Sequence, residues 1–233
     1  MPKLKWISDE DLSKAVADLL ETAKNAKNNA AKNFGINVID PFSAVFEMAG
    51  FEMSYEEWIK SEQARQAQKT LQNFIGNFHQ TILGFCKGWK NLHVGNIVDL
   101  VNEEKKIIAE IKNKYNTVSF GKLADSYWSL DSSVMPKTSI YKGYTAYHVS
   151  VIPKTSKRFD IEFTPSNNKT GQKCPSNKLI RQIDGASFYT LATGDENALK
   201  DLFEVIPSVI TNITKSYKLD SIKLKKLFEL AYG

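Results

Sequence analysis

The chain has 233 residues, 42% of them hydrophobic and 24% charged, a composition typical of a folded domain. Its formal net charge of +5 and pI near 9.0 make polyanions the first partners to consider. Two cysteines are too few for a disulfide framework and lack the spacing of a zinc site, so we expect a reducing, cytoplasmic location. Because no apolar stretch suits a signal peptide or a bilayer span, secreted and membrane-embedded classes are excluded.

Helices are predicted where apolar residues recur at intervals of three and four. Ser8 with Asp11 and Ser54 with Glu57 each resemble a capping box, which marks the start of a helix. The predicted helices span residues 8–31, 54–84, 196–211 and 219–231, residues 35–50 form a connection with a short helical turn, and residues 119–135 are helical or irregular.

After residue 84 the pattern changes to short apolar runs, which predicts strands. Residues 96–101 and 106–112 are expected to pair around a tight turn, residues 144–152 and 160–163 add further strands, and residues 164–178 have the composition of a loop. This order predicts an α/β fold with a small mixed β-sheet flanked by helices. We expect a single domain at 1–233, with a helical extension at 1–53, a core at 54–195 and C-terminal helices at 196–233.

Charged residues interrupt the two paired apolar runs. Asp99 lies inside Ile-Val-Asp-Leu-Val, and Glu110 and Lys112 end Ile-Ile-Ala-Glu-Ile-Lys. If the turn centres on residues 103 and 104, Asp99 lies opposite Ile108. Because side chains alternate along a strand, Asp99, Glu110 and Lys112 are then expected to share one face of the sheet.

Two carboxylates on one face repel each other, and a divalent cation relieves that repulsion. Hard oxygen ligands that leave room for water suit Mg²⁺, and an adjacent lysine can hydrogen-bond an attacking water or a phosphate. The pattern therefore predicts phosphodiester hydrolysis. Glu-x-Lys occurs three times in the chain, but only the triplet at Glu110 ends an apolar strand. The alternative is a cross-strand salt bridge on an exposed face.

These residues also resemble the PD-(D/E)XK nuclease superfamily, and within it the type II restriction endonucleases that cut GGNCC-like sites. The resemblance rests on Val98-Asp99, Ile107-Ile-Ala-Glu-Ile-Lys-Asn-Lys-Tyr-Asn-Thr-Val118, Asn73-Phe-Ile-Gly-Asn-Phe-His-Gln80, Gly143-Tyr-Thr-Ala-Tyr147, Ile183-Asp-Gly-Ala-Ser-Phe-Tyr189 and Thr193-Gly194. It implies a restriction-endonuclease-like core in which Asp99 and Glu110 bind Mg²⁺ and Lys112 is the catalytic lysine. Val98 stands where the motif nominally has proline.

The implied function is sequence-specific cleavage of double-stranded DNA that leaves 5′-phosphate ends. One alternative is a DNA-binding protein without catalysis, in which the charged hairpin is a surface ion network. Another is a structure-specific repair nuclease of the same superfamily. A palindromic DNA site would be matched by a two-fold protein, so a homodimer is expected, with the lysine-rich C-terminal helix as a packing or dimer helix.

The DNA contacts are expected in two places. The segment 154–181 carries seven basic and two acidic residues, including two of the three arginines, and asparagines that include Asn168. Arg and Lys pair with guanine, and Asn and Gln with adenine, so this segment is predicted to read bases. Residues just after the catalytic strand are expected to contact phosphate. The candidate DNA-binding residues are Lys114, Asn116, Thr117, Lys157, Arg158, Lys173 and Arg181.

Three further residues were weighed for the site. Glu62, on the long second helix, is a possible additional metal-binding acid, although a surface helical glutamate is the commoner explanation. His79 on the same helix and His148 on a strand are interpreted as packed, hydrogen-bonded core histidines rather than catalytic groups.

Overall fold

The structure is a computed structural model that describes residues 3–92, 97–117, 120–167, 169–215 and 219–233. The helices are α1 (Asp9–Asn28), α2 (Ala30–Asn33), α3 (Pro41–Gly50), α4 (Tyr55–Gly84), α5 (Phe120–Val134), α6 (Gly185–Thr193), α7 (Ala198–Thr214) and α8 (Ser221–Tyr232). The strands are β1 (Lys90–Asn91), β2 (Leu100–Asn102), β3 (Ile107–Lys114), β4 (Thr145–Ile152), β5 (Asp160–Glu162), β6 (Ser166–Asn167), β7 (Gln172–Lys173) and β8 (Ile180–Asp184). The chain divides into a sheet unit, Met1–Val16 with Gly76–Gly233, and a helical unit, Ala17–Ile75.

The sheet unit is built on a six-stranded mixed sheet in the order β1-β2-β3-β4-β8-β5. Strands β3, β4 and β8 are parallel, whereas β1, β2 and β3 pair antiparallel and β5 pairs antiparallel with β8. Parallel neighbours need crossover connections, which here contain helix α5 between β3 and β4. The mixed sheet with helices confirms the predicted fold class, which is consistent with a restriction-endonuclease-like core.

The register of the β2–β3 hairpin differs from the prediction. Leu100 pairs with Ala109, and Ile108 pairs with Val101, so the expectation that Asp99 lies opposite Ile108 was wrong. The turn has four residues, from Glu103 to Lys106, instead of being centred on residues 103 and 104. The shift equals two residues, and because the side-chain period of a strand is two, the predicted sharing of one face is unaffected.

Local hydrogen bonding and backbone geometry explain this longer turn. Asn102 ends β2, and its side-chain oxygen accepts a hydrogen bond from the backbone N–H of Lys105 at 2.8 Å. Lys106 adopts φ of 54°, the left-handed conformation that reverses the chain before β3. An asparagine that binds its own following backbone competes with continued strand pairing.

Other elements also differ from their predicted bounds. Residues 35–50 contain the ten-residue helix α3 rather than a single turn, because Asp40 caps it by accepting from the backbone N–H groups of Phe42 and Ser43 and Pro41 occupies its first turn. Strand β2 begins only at Leu100. Residues 119–135 contain helix α5, and the expected loop at 164–178 contains the β6–β7 hairpin. Some predictions fall outside the described residues. These are the start of the first strand at residue 96, the start of the helical segment at residue 119, Val118 of the family resemblance and Asn168 of the basic segment.

The core of the sheet unit lies between the central strands and α5. Tyr127, Leu130 and Val134 form the buried side of α5. They belong to one apolar cluster with Val98, Val101, Ile108, Ala124, Ala146, Phe163, Cys174 and Ile180. Burial of this cluster fixes α5 against the sheet. It therefore also fixes the positions of the polar side chains of α5 relative to those of the strands.

The β8–α6 junction explains one stretch of the family resemblance. Asp184 is buried, and its carboxylate accepts hydrogen bonds from the backbone N–H of Ser187 at 2.8 Å and of Phe159 at 2.6 Å. It therefore caps α6 and ties the segment before β5 to β8. A Cβ atom at Gly185 would lie 2.2 Å from the carbonyl oxygen of Val151, so only glycine allows this close approach of α6 to β4.

The helical unit has its own small apolar centre. The Trp58 ring packs edge to face on Phe34 at 6.2 Å, and its Nε1 donates a hydrogen bond to Glu47 Oε2 at 2.9 Å. The capping box at Ser54 is present, with the Glu57 carboxylate and the Ser54 hydroxyl each accepting from the other residue's backbone N–H. Among the described residues of both units, no helix has the length and hydropathy of a bilayer span.

Candidate active site

The structure brings Asp99, Glu110 and Lys112 together beside the β2–β3 hairpin. Lys112 Nζ lies 2.6 Å from Glu110 Oε1, as their alternation along β3 predicts. Asp99 precedes β2, and its Oδ2 accepts a hydrogen bond from the backbone N–H of Ile111 at 2.6 Å. The backbone N–H of Asp99 donates to the carbonyl of Ala109 at 2.9 Å. Asp99 is thus held against β3 by main-chain bonds on both sides of Glu110.

The two carboxyls have opposite pKa shifts. Burial raises the pKa of Asp99, and the negative charge of Glu110 adds to that rise against the opposing effects of the Ile111 N–H and Lys112. Burial also acts to raise the pKa of Glu110, but hydrogen bonding from His148 and the charge and hydrogen bond of Lys112 outweigh it and lower that pKa to about 2. Glu110 is therefore a carboxylate at neutral pH, and Asp99 carries an unfavourable like-charge interaction.

An open cleft of about 560 Å³ lies over Glu110 and Lys112. Helix α5 forms one wall, with four polar side chains at the helical spacing that keeps them on one face. The lining residues are Glu110, Lys112, Thr117, Lys122, Asp125, Ser126 and Ser129. The two lysines of this cleft suit an anionic ligand, and its carboxylates suit a cation that would bridge them to that ligand.

Sequence reasoning missed two residues of this site. Ser126, on α5, donates a hydrogen bond to Glu110 Oε2. His148, on β4, is the Cα partner of Glu110 in the parallel pairing, and its Nδ1 lies 3.6 Å from Glu110 Oε2 and 3.0 Å from Ser126 Oγ. His148 is buried and hydrogen-bonded as predicted, but its partners belong to this site. These residues could have been found only by knowing that β3 pairs in parallel with β4, and no local pattern in the sequence specifies that pairing.

Glu62 and His79 are each engaged elsewhere. In the helical unit, both oxygens of the buried Glu62 accept from Arg65 at 2.6 Å, and Gln66 adds a hydrogen bond at 2.8 Å. The Arg65 hydrogen bond is the main cause that lowers the pKa of Glu62. A metal role for Glu62 would compete with this pair and stays a prediction. In the sheet unit, His79 Nδ1 is 2.8 Å from the Tyr189 hydroxyl, as expected of a core histidine.

The three candidate phosphate contacts lie where β3 ends. Lys114, Asn116 and Thr117 are exposed, and the last two belong to a short 3₁₀ turn, Tyr115–Thr117. The Lys114 backbone N–H donates to Thr117 Oγ1 at 3.0 Å, and this hydroxyl donates to the Lys114 carbonyl at 2.5 Å. Thr117, which also lines the cleft, thereby holds the turn that follows β3.

The two candidate arginines are bound to protein groups. Arg181 donates to Asp160 Oδ1 at 2.6 Å and to its carbonyl at 2.7 Å. Arg158 donates to Ser187 at 3.1 Å and to Thr190 at 2.7 Å, both on α6. Base contact by either would cost these bonds. The other two candidates of the segment, Lys157 and Lys173, are exposed, and their DNA contacts remain predictions.

A mixed sheet whose central strand carries Glu-x-Lys, with an aspartate bound beside it, is the arrangement that the resemblance to the PD-(D/E)XK nucleases implies. The sequence model of the Eco47II restriction endonuclease family matches residues 4–215. The chain is 51% identical to the type II restriction enzyme Eco47II of Escherichia coli over 240 residues, with all of both chains covered. It is 31% identical to the type II restriction enzyme Sau96I of Staphylococcus aureus over 208 residues, 88% of this chain and 78% of the relative. No solved structure matches the chain.

The protein class is therefore that of type II restriction endonucleases, which cut double-stranded DNA at a defined sequence. Within that class, the chain belongs to the Eco47II restriction endonuclease family. This confirms the resemblance, the enzyme class and the sequence-specific DNA endonuclease function predicted above. It favours them over a DNA-binding protein without catalysis and over a structure-specific repair nuclease.

Proposed function

We propose that this protein cleaves double-stranded DNA at a GGNCC-like site with Mg²⁺ and leaves 5′-phosphate ends, using Asp99 and Glu110 as metal ligands and Lys112 as the catalytic lysine. The observation that carries the proposal is the placement of Glu110 and Lys112 in the cleft beside α5, with Asp99 bound to the Ile111 N–H between them. Hydrolysis forms a bond from a water oxygen to phosphorus and breaks the bond to the 3′ oxygen, which leaves as a hydroxyl.

The residues present fit a hard divalent cation. In the described part of the chain no group of three or more His, Cys, Asp and Glu side chains is arranged for a metal, and the proposed ligands are the two carboxylates of Asp99 and Glu110. Two carboxylates suit Mg²⁺, which keeps several waters and takes further oxygens from a phosphate. Burial and, to a lesser extent, the like charge of Glu110 raise the pKa of Asp99, and such a cation would offset both. When bound, Mg²⁺ would supply the positive charge that favours attack of water on phosphate near neutral pH.

The protein groups have distinct roles in this proposal. Lys112 Nζ, now paired with Glu110, would turn to donate a hydrogen bond to the attacking water or to a phosphate oxygen. Because the pKa of Glu110 is lowered to about 2, this side chain is a carboxylate at neutral pH and needs no proton removed before it binds a cation. The Ile111 N–H holds one oxygen of Asp99 and leaves the other for the metal.

The β6–β7 hairpin supports a DNA-reading role for the segment 164–178. Its base is anchored by the buried residues Pro165 and Cys174, joined by a backbone hydrogen bond of 2.8 Å. Beyond this anchor Lys169, Gln172 and Lys173 are exposed. A two-stranded ribbon fits the major groove of B-DNA, where Lys pairs with guanine and Gln with adenine. We propose that Lys173 reads a base and that Lys157 contacts the DNA backbone.

A homodimer is proposed because a two-fold DNA site requires one active site for each strand. Helix α3 offers the surface for a second copy of this chain. Phe42, Val45 and Phe46 lie on one face of this helix and are 77%, 60% and 75% exposed. Ile36, Val38 and Phe51 flank the helix in the sequence and are also exposed. Burial of an exposed phenylalanine removes on the order of 150–250 Å² from water. A standard interface buries about 800 Å² on each partner.

Charge favours α3 over the C-terminal helix as this surface. Glu47, the one charged residue in the α3 sequence, accepts hydrogen bonds from Ser43 at 2.8 Å and Trp58 at 2.9 Å within its own unit. Helix α8 also exposes apolar side chains, including Leu230, but lysines 223, 225 and 226 surround them. Burying lysines without partners is costly, so α8 is the poorer dimer surface. With buried free thiols at both cysteines, we propose that the dimer works in the reducing cytoplasm.

Incubation of the purified protein with unmethylated phage DNA, with Mg²⁺ and in parallel with EDTA, tests the proposed function. Discrete bands that depend on Mg²⁺, whose ends can be ligated without added phosphate, would support it, and their lengths would identify the site. A smear would reject the sequence specificity, and intact DNA in every divalent ion tested would reject the catalytic assignment.

A further inference from the structure

Glu110 is held from behind by a buried polar pair. Glu110 on β3 and His148 on β4 are register partners in neighbouring parallel strands, and their side chains therefore lie on the same face. Helix α5 covers that face and supplies Ser126, whose hydroxyl lies between them. The three residues come from three different elements, so tertiary packing alone creates the contact.

The protons in this group can be assigned from the hydrogen bonds. Ser126 has one hydroxyl proton, and it is donated to the carboxylate Oε2 of Glu110. The contact of 3.0 Å between Ser126 Oγ and His148 Nδ1 then requires Nδ1 to carry the proton and the serine oxygen to accept it. His148 is therefore bound through Nδ1–H, and its ring plane is fixed by stacking on Phe163 with centroids 4.7 Å apart and an 11° angle between planes.

Burial makes this arrangement rigid. His148 and Ser126 are 4% and 8% exposed, so water does not replace their bonds at low cost. Oε2 of Glu110 is thereby held towards the interior, and Oε1 is left on the side of Lys112 and the cleft. Without the Ser126 hydroxyl, which His148 holds in place, the carboxylate could rotate and bring either oxygen to the cleft.

We infer that Ser126 and His148 are positioning residues, which lock the Glu110 carboxylate so that Oε1 faces the metal and the scissile phosphate. The inference rests on the proposed function, because it assigns a purpose to the orientation of a proposed metal ligand. Neither residue touches the DNA in this scheme. Removal of a group that orients a metal ligand in this way typically lowers metal affinity or activity by about 10- to 100-fold.

Two amide variants of His148 test the inference. In His148→Asn the amide nitrogen stands about where Nδ1 is and can still donate to Ser126. In His148→Gln it stands about where Nε2 is and cannot. We expect Mn²⁺ affinity of the full chain without DNA, measured by electron paramagnetic resonance, to fall at least about 10-fold in His148→Gln and Ser126→Ala. It should stay within about 3-fold of wild type in His148→Asn.

The matched control is Ser133→Ala, which removes another buried hydroxyl from α5, where Ser133 donates to the carbonyl of Ser129 at 2.9 Å. It should leave Mn²⁺ affinity and the single-turnover cleavage rate unchanged. The single-turnover rate should fall in Ser126→Ala and His148→Gln, whereas DNA affinity in EDTA should not. Thermal unfolding verifies that each variant folds. If a His148 variant does not fold, the comparison of Ser126→Ala with Ser133→Ala is the test.

Unchanged Mn²⁺ affinity and cleavage in Ser126→Ala and His148→Gln would overturn the inference, and so would an equal loss in His148→Asn and His148→Gln. The proposed function fails separately. If Glu110→Gln itself left Mn²⁺ binding and cleavage intact, Glu110 would not be a metal ligand, whatever the behaviour of Ser126 and His148.

Discussion

Lys112 and Glu110 form an ion pair of 2.6 Å between Nζ and Oε1, so the proposed catalytic lysine is bound to the proposed metal ligand before any cation is present. Both side chains are partly buried, at 29% and 18% exposure, which makes the contact stronger than an exposed surface pair. A cation that binds Glu110 would replace one positive charge by another. Lys112 would then be available to donate a hydrogen bond to a phosphate oxygen.

Lys112→Met should abolish cleavage without weakening metal binding, because the lysine competes with the cation for Glu110. We expect the single-turnover rate to fall at least about 100-fold. Mn²⁺ affinity should be equal or higher. The control is Asn116→Ala at the end of β3, which should retain metal binding. A Lys112→Met protein that cleaves at the wild-type rate would contradict the assignment.

Asp99→Asn should remove metal binding and leave the fold intact. The asparagine oxygen can still accept from the Ile111 N–H, so we expect the thermal midpoint to change little, whereas the negative charge is lost. Isothermal titration with Mg²⁺ and a cleavage assay measure both effects. Glu103→Gln is the control, since Glu103 pairs with Lys90 in the exposed part of the hairpin. Equal cleavage by Asp99→Asn and wild type would rule Asp99 out as a ligand.

Removing apolar side chains from α3 should dissociate the proposed dimer. Phe42→Glu combined with Phe46→Glu would bury two charges in the proposed interface, and we expect sedimentation at micromolar concentration to shift from dimer to monomer. The matched control, Ile222→Glu with Leu230→Glu, alters similarly exposed residues on α8 and should remain dimeric. A wild-type monomer, or dissociation by the α8 pair alone, would contradict the choice of surface.

The His79 site should make stability fall on acidification. Burial lowers the pKa of His79 to about 4, against 6.5 for an ordinary histidine, so the unfolded chain binds this proton first. The free energy of unfolding should therefore decrease as pH falls from about 6.5 to 4, by on the order of 3 kcal/mol at most. Urea unfolding of wild type and His79→Gln across this range isolates the effect, because the other groups titrate in both. Parallel pH curves for the two proteins would refute it.

Gly185→Ala should destabilise the sheet unit. The new Cβ would clash with the Val151 carbonyl oxygen at 2.2 Å, and neither backbone can yield without moving α6. We expect a loss of about 1–3 kcal/mol or more in urea unfolding. Gly35→Ala, where a Cβ meets nothing within 4 Å, is the control and should be neutral. Equal stability of both variants would mean that the α6 approach is not tight.

Much of the site was accessible from local pattern. Period two along β3 placed Glu110 and Lys112 on one face. The prediction that Asp99 shares this face survived a register error because the error was two residues. The capping boxes at Ser8 and Ser54 marked two helix starts correctly. Such features depend on neighbours in the chain, which the sequence displays directly.

Parallel pairing was not accessible in this way. Strand β4 joins β3, and β8 joins β4, through crossovers of many residues. Nothing local therefore indicates that His148 is the partner of Glu110 or that Ser126 will contact both. The basic segment likewise suggested two arginines for base contact. In the folded chain Arg181 is hydrogen-bonded to Asp160, and Arg158 is hydrogen-bonded to Thr190 on α6.

By itself the sequence determined the α/β class, the long helices, the family, and the shared face of Asp99, Glu110 and Lys112, because these follow from residue periodicity and motif. Only the tertiary structure decided how the Glu110 carboxylate is oriented and which basic side chains already have protein partners. Those outcomes depend on contacts between elements distant in the chain, where burial makes each donor find an acceptor.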